Sequence, residues 1–359
     1  MSWTTQLSRG CAALCLSLTA FAAQGAAAYS NIYVFGDSLS DSGNDFVRLA
    51  NPDPATLLPP VDLPASAYYT DGTNTGRFTN GLNYADQLAA SFGLTLTPSV
   101  TGGNNYAHGG ARSEYVRPDL ALYKAQSFNE QIGSYLASSG GVMDPNALYV
   151  LWIGANDMAD ALTKSLMLGG DLTPVVDEIS QTVGDIVTAF VTLESLGARN
   201  FLIGNSPDLS LTPAARDLAA LYGSGVETLF RGASAGFNTT LASNLPLYTL
   251  PTASVTIFDA FALQTAMTAN PAAYGLTNVT TACYDGQVDG SPTPGNATVT
   301  ECANEGEYLY YDMEHPSAVL HDWAARSIYA QLVPEPAGWA LTLTALGLMG
   351  FMGRRRARS

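Results

Sequence analysis

Residues 31–44 read NIYVFGDSLSDSGN, an apolar run followed by a glycine and then by small and acidic residues. The run 31–35 is short and rich in β-branched and aromatic residues, which predicts a buried β-strand. Gly36 permits a tight turn at the end of that strand. Functional groups of open parallel sheets lie at the carboxyl ends of the strands. The sequence therefore predicts that the hydroxyl group of Ser38 lies at such an end.

The rest of the chain alternates between short apolar runs and longer helical ones. The strand-like runs are 147–153, 200–203 and 254–258, with a weaker one at 105–107, and the helix-like stretches are 81–92, 127–137, 175–196, 214–241 and 317–328. This alternation is typical of βαβ units, in which helices cover both faces of a parallel sheet. We therefore predict an α/β fold.

The composition excludes several classes of protein. The chain has 359 residues, is 47% hydrophobic, and carries 15 Lys and Arg against 31 Asp and Glu, for a net charge of −16. The apolar fraction is that of a globular protein and excludes intrinsic disorder. A chain this acidic does not attract a phosphate backbone, so no nucleic acid is expected as a partner.

Both ends of the chain have the pattern of targeting segments. Residues 1–28 contain one charged residue, then an apolar run and three alanines, which is the order of a secretory signal peptide; a buried N-terminal helix is the alternative. Residues 337–353 are uncharged and precede four arginines within 354–358. Seventeen residues span about 25 Å, the low end for crossing a bilayer. We expect a short transmembrane segment with the arginines on the cytoplasmic side.

The order Pro334-Glu335-Pro336, apolar stretch, arginines resembles the PEP-CTERM sorting signal of exopolysaccharide-producing Gram-negative bacteria. The resemblance implies export machinery and an exosortase-like protease as partners; a plain tail anchor is the alternative. The predicted organisation is a signal peptide at 1–28, a globular domain at 29–332 and a sorting signal at 333–359. The protein would be exported, transiently anchored in the inner membrane, and then held at the cell surface or in the extracellular matrix.

Removal of the signal peptide leaves two cysteines, Cys283 and Cys302. In an oxidising compartment such a pair most simply forms one disulfide, and two free buried thiols are the alternative.

Residues 311–316, YDMEHP, contain a carboxylate and an imidazole three residues apart. A serine nucleophile needs a base to take its proton, and the base needs a carboxylate to fix its tautomer. One turn of chain can bring Asp312 to His315 Nδ1 and leave Nε2 free. The chain has two other histidines, His108 and His321, and we expect His321 at the surface or as a cap of its helix. Neither His315 nor His321 makes a metal-ligand spacing with another His or Cys, so no metal is predicted.

Two further segments offer hydrogen-bond donors. Residues 154–157, GAND, follow a predicted strand, where the amide of Asn156 can donate to a developing oxyanion or cap the next segment. Residues 102–111, GGNNYAHGGA, offer backbone N–H groups. No phosphate-binding fingerprint follows the glycines, so no nucleotide cofactor is predicted.

Together these segments resemble the GDSL, or SGNH-hydrolase, family of lipases and esterases. The matching blocks are GDSLSD at 36–41, NYAHGGA at 105–111, GAND at 154–157 and DMEHP at 312–316. Tyr311 departs from the pattern, because many secreted relatives have Trp before this Asp. The resemblance implies a flavodoxin-like, three-layer α/β/α sandwich with a central parallel sheet.

Carried over residue by residue, the resemblance implies Ser38 as nucleophile, His315 as base and Asp312 as its partner. Gly110 and Asn156 would form the oxyanion hole with the Ser38 N–H, although Gly109 lies beside Gly110. The resemblance thus implies an exported serine esterase that works through an acyl-Ser38 intermediate, without a cofactor. The substrate would be an acyl or lipid ester, or else an O-acetylated exopolysaccharide. A non-catalytic surface or matrix protein on the same fold is the alternative of another class.

Overall fold

Four short apolar runs form a parallel sheet in the computed structural model, which describes residues 29–60, 76–286 and 298–333. The strands are β1 (Ile32–Gly36), β2 (Leu148–Trp152), β3 (Asn200–Gly204) and β4 (Ser254–Phe258), paired in that order. All residues of β2 are buried, as expected for a strand covered on both faces. The sequence therefore predicted these four strands correctly.

The predicted weak strand at 105–107 is not a strand, because only Asn105 forms isolated bridges there, to Val34 and to Pro98. Residues 104–108 nevertheless run parallel to the free edge of β1. Val34 N–H donates to Asn104 O (3.1 Å), Tyr106 N–H donates to Val34 O (2.7 Å), and His108 N–H donates to Gly36 O (3.2 Å). Counting this segment as the second along the chain, the spatial order is 2-1-3-4-5, which is the flavodoxin-like order.

Ten α-helices connect and flank these strands in the described part of the chain. They are α1 (Asn44–Ala50), α2 (Tyr84–Ser91), α3 (Pro118–Ala121), α4 (Phe128–Ser139), α5 (Ala155–Met167), α6 (Thr173–Ser195), α7 (Pro213–Tyr222), α8 (Gly225–Tyr248), α9 (Ala260–Ala269) and α10 (Ala318–Leu332). The predicted single helix at 214–241 is wrong. It is two helices, because Gly223 ends α7 at a φ of 97°, a conformation that other residues rarely adopt. The sequence did not predict a second sheet of two parallel strands, β5 (Asn278–Ala282) and β6 (Tyr308–Tyr310).

Alternate residues of the strands pack against different helical layers. Tyr149, Leu151 and Phe201 are buried in a core shared with α4, α6 and α8. On the other side, Trp152 contacts the ring of Tyr84 from α2, with ring centroids 4.6 Å apart. The sheet thus lies between two layers of helices, which confirms the predicted three-layer sandwich.

Residues Tyr29–Ile328 form one compact unit, which contains this core. A second unit consists of Met1–Ala28 and Tyr329–Ser359, of which the structure describes only 329–333, at the end of α10. The predicted signal peptide, the motif at 334–336 and the predicted transmembrane segment lie outside the described residues. Among the residues that are described, no helix is both long and apolar enough to cross a membrane.

Cys283 and Cys302 form a disulfide with their Cα atoms 4.9 Å apart, as the sequence predicted. The bond packs against Tyr284 and Tyr311. Tyr284 N–H donates to Tyr311 O (2.6 Å), directly before Asp312. The disulfide is therefore attached to the chain segment that carries the predicted carboxylate.

Replacing both cysteines with serine is expected to lower the free energy of unfolding by about 3 kcal/mol, because the bond closes a loop of about 20 residues in the unfolded chain. Urea unfolding of the double variant beside the oxidised protein measures this difference. Equal unfolding midpoints and slopes would contradict the prediction.

Candidate active site

Ser38 lies two residues beyond β1, between the edge segment 104–108 and β2. The strand order reverses at this point, so the carboxyl ends of neighbouring strands leave a crevice there. Gly36 permits the close approach of β1 and β2, because a Cβ atom at this position would lie 2.2 Å from the carbonyl oxygen of Trp152. The predicted position of the hydroxyl group at a strand end agrees with the structure.

Ser38, His315 and Asp312 form one chain of hydrogen bonds. His315 Nε2 lies 2.9 Å from Ser38 Oγ, and His315 Nδ1 lies 2.7 Å from Asp312 Oδ2. The other carboxylate oxygen, Asp312 Oδ1, accepts the backbone N–H groups of Glu314 (2.8 Å) and His315 (2.5 Å). These two bonds close one turn of chain and hold the carboxylate in place. The sequence predicted this turn from the spacing alone.

The environment of His315 raises its pKa above the ordinary value of 6.5. Burial lowers the pKa, but the charge of Asp312 and its hydrogen bond raise it more, with a smaller contribution from the charges of Glu314 and Asp37. The imidazole is thus a stronger base than a free histidine.

We expect kcat/KM for a soluble ester to rise in a single step from acid to neutral pH, with a midpoint above 6.5. Only neutral imidazole can accept the serine proton, so protonation of His315 below its pKa removes activity. A pH profile of kcat/KM measures the midpoint. A flat profile from about pH 5 to 8 would contradict a histidine base.

The two glycines of the 105–111 segment differ in what their N–H groups do. Gly109 N–H donates to Asp41 Oδ2 (3.1 Å). The N–H groups of Gly110 and Ser38 find no acceptor among the described residues. Gly110 has a φ of 67°, a conformation in which glycine is not strained. Of the two glycines, Gly110 is therefore the one whose N–H is available to a ligand.

Asn156 reaches the same crevice from the first turn of α5. Its Nδ2 donates to Ala111 O (3.0 Å), and its second amide hydrogen is used by none of the described residues. Helix α5 begins after Gly154 without a side-chain cap, so Asn156 does not cap it. The Ala111 carbonyl orients the amide, and the remaining hydrogen is available as a donor.

Residues 41–45, directly after the serine turn, hold the glycine loop in place. Asn44 Nδ2 donates to the carbonyl oxygens of Asn105 (2.9 Å) and Ala107 (2.8 Å). Asp45 Oδ1 lies 2.7 Å from His108 Nδ1. Both side chains of this pair are fully buried. The polar residues that follow Ser38 thus hydrogen-bond to the segment 105–111 and stabilise its conformation.

Asp41, Asp45 and His108 are also close enough to share a metal ion. Asp41 already accepts the backbone N–H groups of Gly43 (2.7 Å), Asn44 (2.6 Å) and Gly109. His108 is paired with Asp45, and burial lowers its pKa to about 4. Most of the polar atoms of the cluster are thus engaged in hydrogen bonds, as in a buried scaffold, whereas Asp45 Oδ2 and His108 Nε2 are buried without a partner among the described residues.

The prediction that His321 lies at the surface or caps its helix is wrong. His321 is 2% exposed, and its Nδ1 accepts the backbone N–H of Tyr84 (3.2 Å), at the start of α2. Burial lowers its pKa to about 3, so the ring is neutral. His321 lies on the buried face of α10. The short apolar pattern of 317–328 did not predict which face of this helix is buried.

A cleft of about 160 Å³ opens beside Ser38. Asp37, Ser38, Asn156 and His315 lie on its polar side, and its walls are mainly apolar. Helix α5 contributes Ala155, Ala159 and Thr163 to the walls, α7 contributes Ala214, Ala215 and Leu218, and α9 and α10 contribute Leu263, Leu320 and Ala324. The sequence did not predict these walls, because apolar and small residues on a helix carry no sign of the cavity they face.

Comparison with known proteins shows which family this chain matches. The model of the family described as GDSL-like Lipase/Acylhydrolase matches residues 32–328. The chain is 27% identical over 349 residues to the phosphatidylcholine-sterol acyltransferase of Aeromonas hydrophila, covering 93% of this chain and 87% of that protein. It is 27% identical over 362 residues to the GDSL esterase/lipase At5g55050 of Arabidopsis thaliana, covering 89% and 90%. It is also 32% identical over 198 residues to Lipase 1 of Photorhabdus luminescens, covering 55% of this chain but only 25% of Lipase 1.

Proposed function

The chain belongs to the GDSL family of lipases and acylhydrolases and is a serine ester hydrolase, and on this ground we propose that Ser38, His315 and Asp312 are its catalytic residues. One observation carries the proposal. The hydrogen-bonded chain from Asp312 through His315 ends at Ser38, whose own N–H has no acceptor in the described residues, and the amide of Asn156 lines the same cleft. A turn with a purely structural role would need neither the hydrogen-bonded chain nor unused hydrogen-bond donors beside it.

In the proposed reaction, Ser38 Oγ attacks the carbonyl carbon of the ester while His315 Nε2 takes the hydroxyl proton. The N–H groups of Ser38 and Gly110 and the amide of Asn156 hold the negative oxygen of the tetrahedral intermediate. The intermediate collapses to acyl-Ser38, and the alcohol leaves with the proton that His315 returns. Water, deprotonated by His315, then attacks the acyl carbon, and the carboxylic acid is released as the bond to Ser38 Oγ breaks and His315 returns the proton to that oxygen.

The cleft favours an ester with an apolar acyl chain. An acetyl group would fill only a small part of a cavity of about 160 Å³, whereas a longer chain buries its methylene groups against α5 and α7. Each buried CH₂ contributes about 0.8 kcal/mol. The name of the Aeromonas relative, which refers to phosphatidylcholine, agrees with a lipid acyl donor. Nothing comparable in the cleft favours an acetylated polysaccharide.

A series of soluble p-nitrophenyl esters beside acetylated xylan tests this substrate class. We expect kcat/KM to rise from the acetate to esters of six to eight carbons, by about fourfold for each CH₂. Ala159→Phe, which fills the cleft, is expected to move the optimum to shorter chains. A preference for the acetate, or for acetylated xylan, would contradict the acyl-ester proposal.

Asn156→Ala is expected to lower kcat by about 10²–10³ with little change in KM, because the amide bonds more strongly to the oxyanion than to the ground-state carbonyl. Steady-state kinetics on a soluble ester measures the effect. Asn244→Ala is the matched control, since its amide also donates to a backbone carbonyl, Thr240 O (2.8 Å), but away from the cleft. A kcat equal to that of the unmodified enzyme would show that Asn156 does not stabilise the oxyanion and that only backbone N–H groups do so.

We also propose that the enzyme is exported, and that residues 1–28 and 333–359 are its signal peptide and sorting signal. The Cys283–Cys302 bond supports export, because structural disulfides persist in oxidising compartments. Protein recovered from outside the cytoplasm is expected to begin at Tyr29 by N-terminal sequencing. Recovery of the active protein from the cytoplasm with Met1 in place would contradict the proposal.

A further inference from the structure

The connecting helices are longer than the sheet they cover. The five residues of β2 span about 17 Å. The 23 residues of α6 and the 24 of α8 each span about 35 Å. Each of these helices ends a few residues before the amino end of the next strand. Their first halves must therefore extend beyond the carboxyl edge of the sheet, on the side where Ser38 lies.

Two helical hairpins form this projecting part of the molecule. Helix α5 packs against α6, α7 packs against α8, and α6 packs against α8. Helices α5 and α7, the first helix of each hairpin, form one part of the cleft wall, and α9 and α10 form another. Both hairpins therefore contribute their first helix to the cleft beside Ser38.

The wall-forming face of each of these helices continues past the cleft. On α5 the lining residues Ala159 and Thr163 are four apart, and the next residue on that face is Met167. On α7 the lining residue Leu218 is followed on the same face by Leu221 and Tyr222. Residues three and four apart lie on one side of a helix, one turn further along. Met167, Leu221 and Tyr222 thus extend the walls outward by one turn.

These positions carry large apolar side chains that face solvent. Met167 and Leu221 are each 78% exposed, and Tyr222 is 62% exposed. Leu168, Leu172 and Val176, around the turn between α5 and α6, are more than half exposed as well. We call the six residues Met167, Leu168, Leu172, Val176, Leu221 and Tyr222 the apolar rim. Grouped exposed apolar side chains of this kind mark interaction sites in soluble proteins.

We propose that the apolar rim docks the enzyme on the surface of aggregated neutral or zwitterionic lipid. The inference rests on the proposed function. An ester whose acyl chain fills the cleft is poorly soluble and collects in lipid aggregates, so the enzyme meets it at their surface. The rim continues the parts of the cleft wall that α5 and α7 form, and an acyl chain passing from the aggregate into the cleft along these helices would remain in contact with apolar side chains.

The charges beside the rim select the kind of lipid. Residues 164–178 and 216–227 contain five acids against two bases, Lys164 and Arg216. An anionic surface would be repelled by this balance. A neutral or zwitterionic headgroup carries no such penalty.

Vesicle sedimentation tests the proposal with residues 29–333, which include the whole compact unit Tyr29–Ile328. The probe is phosphatidylcholine vesicles, and Ser38→Ala in every sample prevents hydrolysis during the measurement. The rim variant carries Met167→Gln and Leu221→Gln. The control variant carries Val142→Gln and Leu247→Gln, which are each 74% exposed and lie outside the rim.

We expect the rim variant to lose at least about tenfold in partitioning onto vesicles, while the control variant binds like its parent. With Ser38 present, both variants should hydrolyse a soluble p-nitrophenyl ester at the parent rate. Absence of vesicle binding by the parent, or equal binding by the rim variant, would overturn the docking proposal. So would a dimer in solution that the rim substitutions dissociate, because the rim would then be an interface between two copies. Failure of the unmodified enzyme on every soluble ester would instead refute the proposed function, since vesicle binding is measured without turnover.

Discussion

Ser38→Ala is expected to lower kcat on a soluble p-nitrophenyl ester by about 10⁶. The substitution removes the atom that forms the acyl intermediate. His315→Ala should cost about as much, because Oγ is a weak nucleophile until Nε2, 2.9 Å away, takes its proton. The double variant should be no slower than either single one, since the two residues act as a unit.

Single-variant and double-variant kinetics measure this non-additivity. Ser91→Ala is a suitable control, because Ser91 is exposed and its hydroxyl donates only to Gln87 O (2.9 Å). Activity of the Ser38 variant within tenfold of the unmodified enzyme would assign the nucleophile elsewhere. A double variant slower by the product of the two single effects would show that Ser38 and His315 act independently.

Asp312→Asn should lower kcat by about 10⁴ and leave the fold intact. Asp312 Oδ1 accepts two backbone N–H groups, and only the amide oxygen of an asparagine can take over that role. The NH₂ group must then face His315 Nδ1 and makes it an acceptor. The ring proton moves to Nε2, where it points at Ser38 Oγ and prevents the imidazole from accepting the serine proton.

The unfolding midpoint in urea serves as the control for this variant. An unchanged midpoint with a loss of about 10⁴ in kcat assigns Asp312 to fixing the tautomer. A lowered midpoint with nearly normal kcat would make the carboxylate a structural residue of the turn 312–315.

Much of the site could be predicted because its signals are local in the sequence. The strand, glycine and serine of 32–38 are consecutive, and Asp312 and His315 are one turn apart. The four main strands were readable as short apolar runs, and the central strand β2 is buried throughout because helices cover both faces of a parallel sheet. The choice between Gly109 and Gly110 needed the structure, since it depends on Asp41, which is 68 residues away from Gly109.

The features that could not be predicted depend on tertiary contacts, which leave no local pattern in the sequence. His321 looked like a surface residue, and only the packing of α10 against the start of α2 buries it. Most of the wall residues on α5 and α7 are small, and small residues suit a helix surface as well as a cavity. The exposed apolar residues of the rim have no distinctive pattern in the sequence, because their position beyond the sheet depends on the lengths and packing of α6 and α8.

Covalent labelling with a fluorophosphonate tests the catalytic assignment most directly, because the reagent reacts with an activated serine and mimics the tetrahedral intermediate. Mass spectrometry of the digested protein should find one adduct, on Ser38. Labelling should be lost in Ser38→Ala and His315→Ala, and it should be retained in Asn244→Ala. An adduct on another serine, or no adduct on a folded protein that hydrolyses esters, would contradict the account.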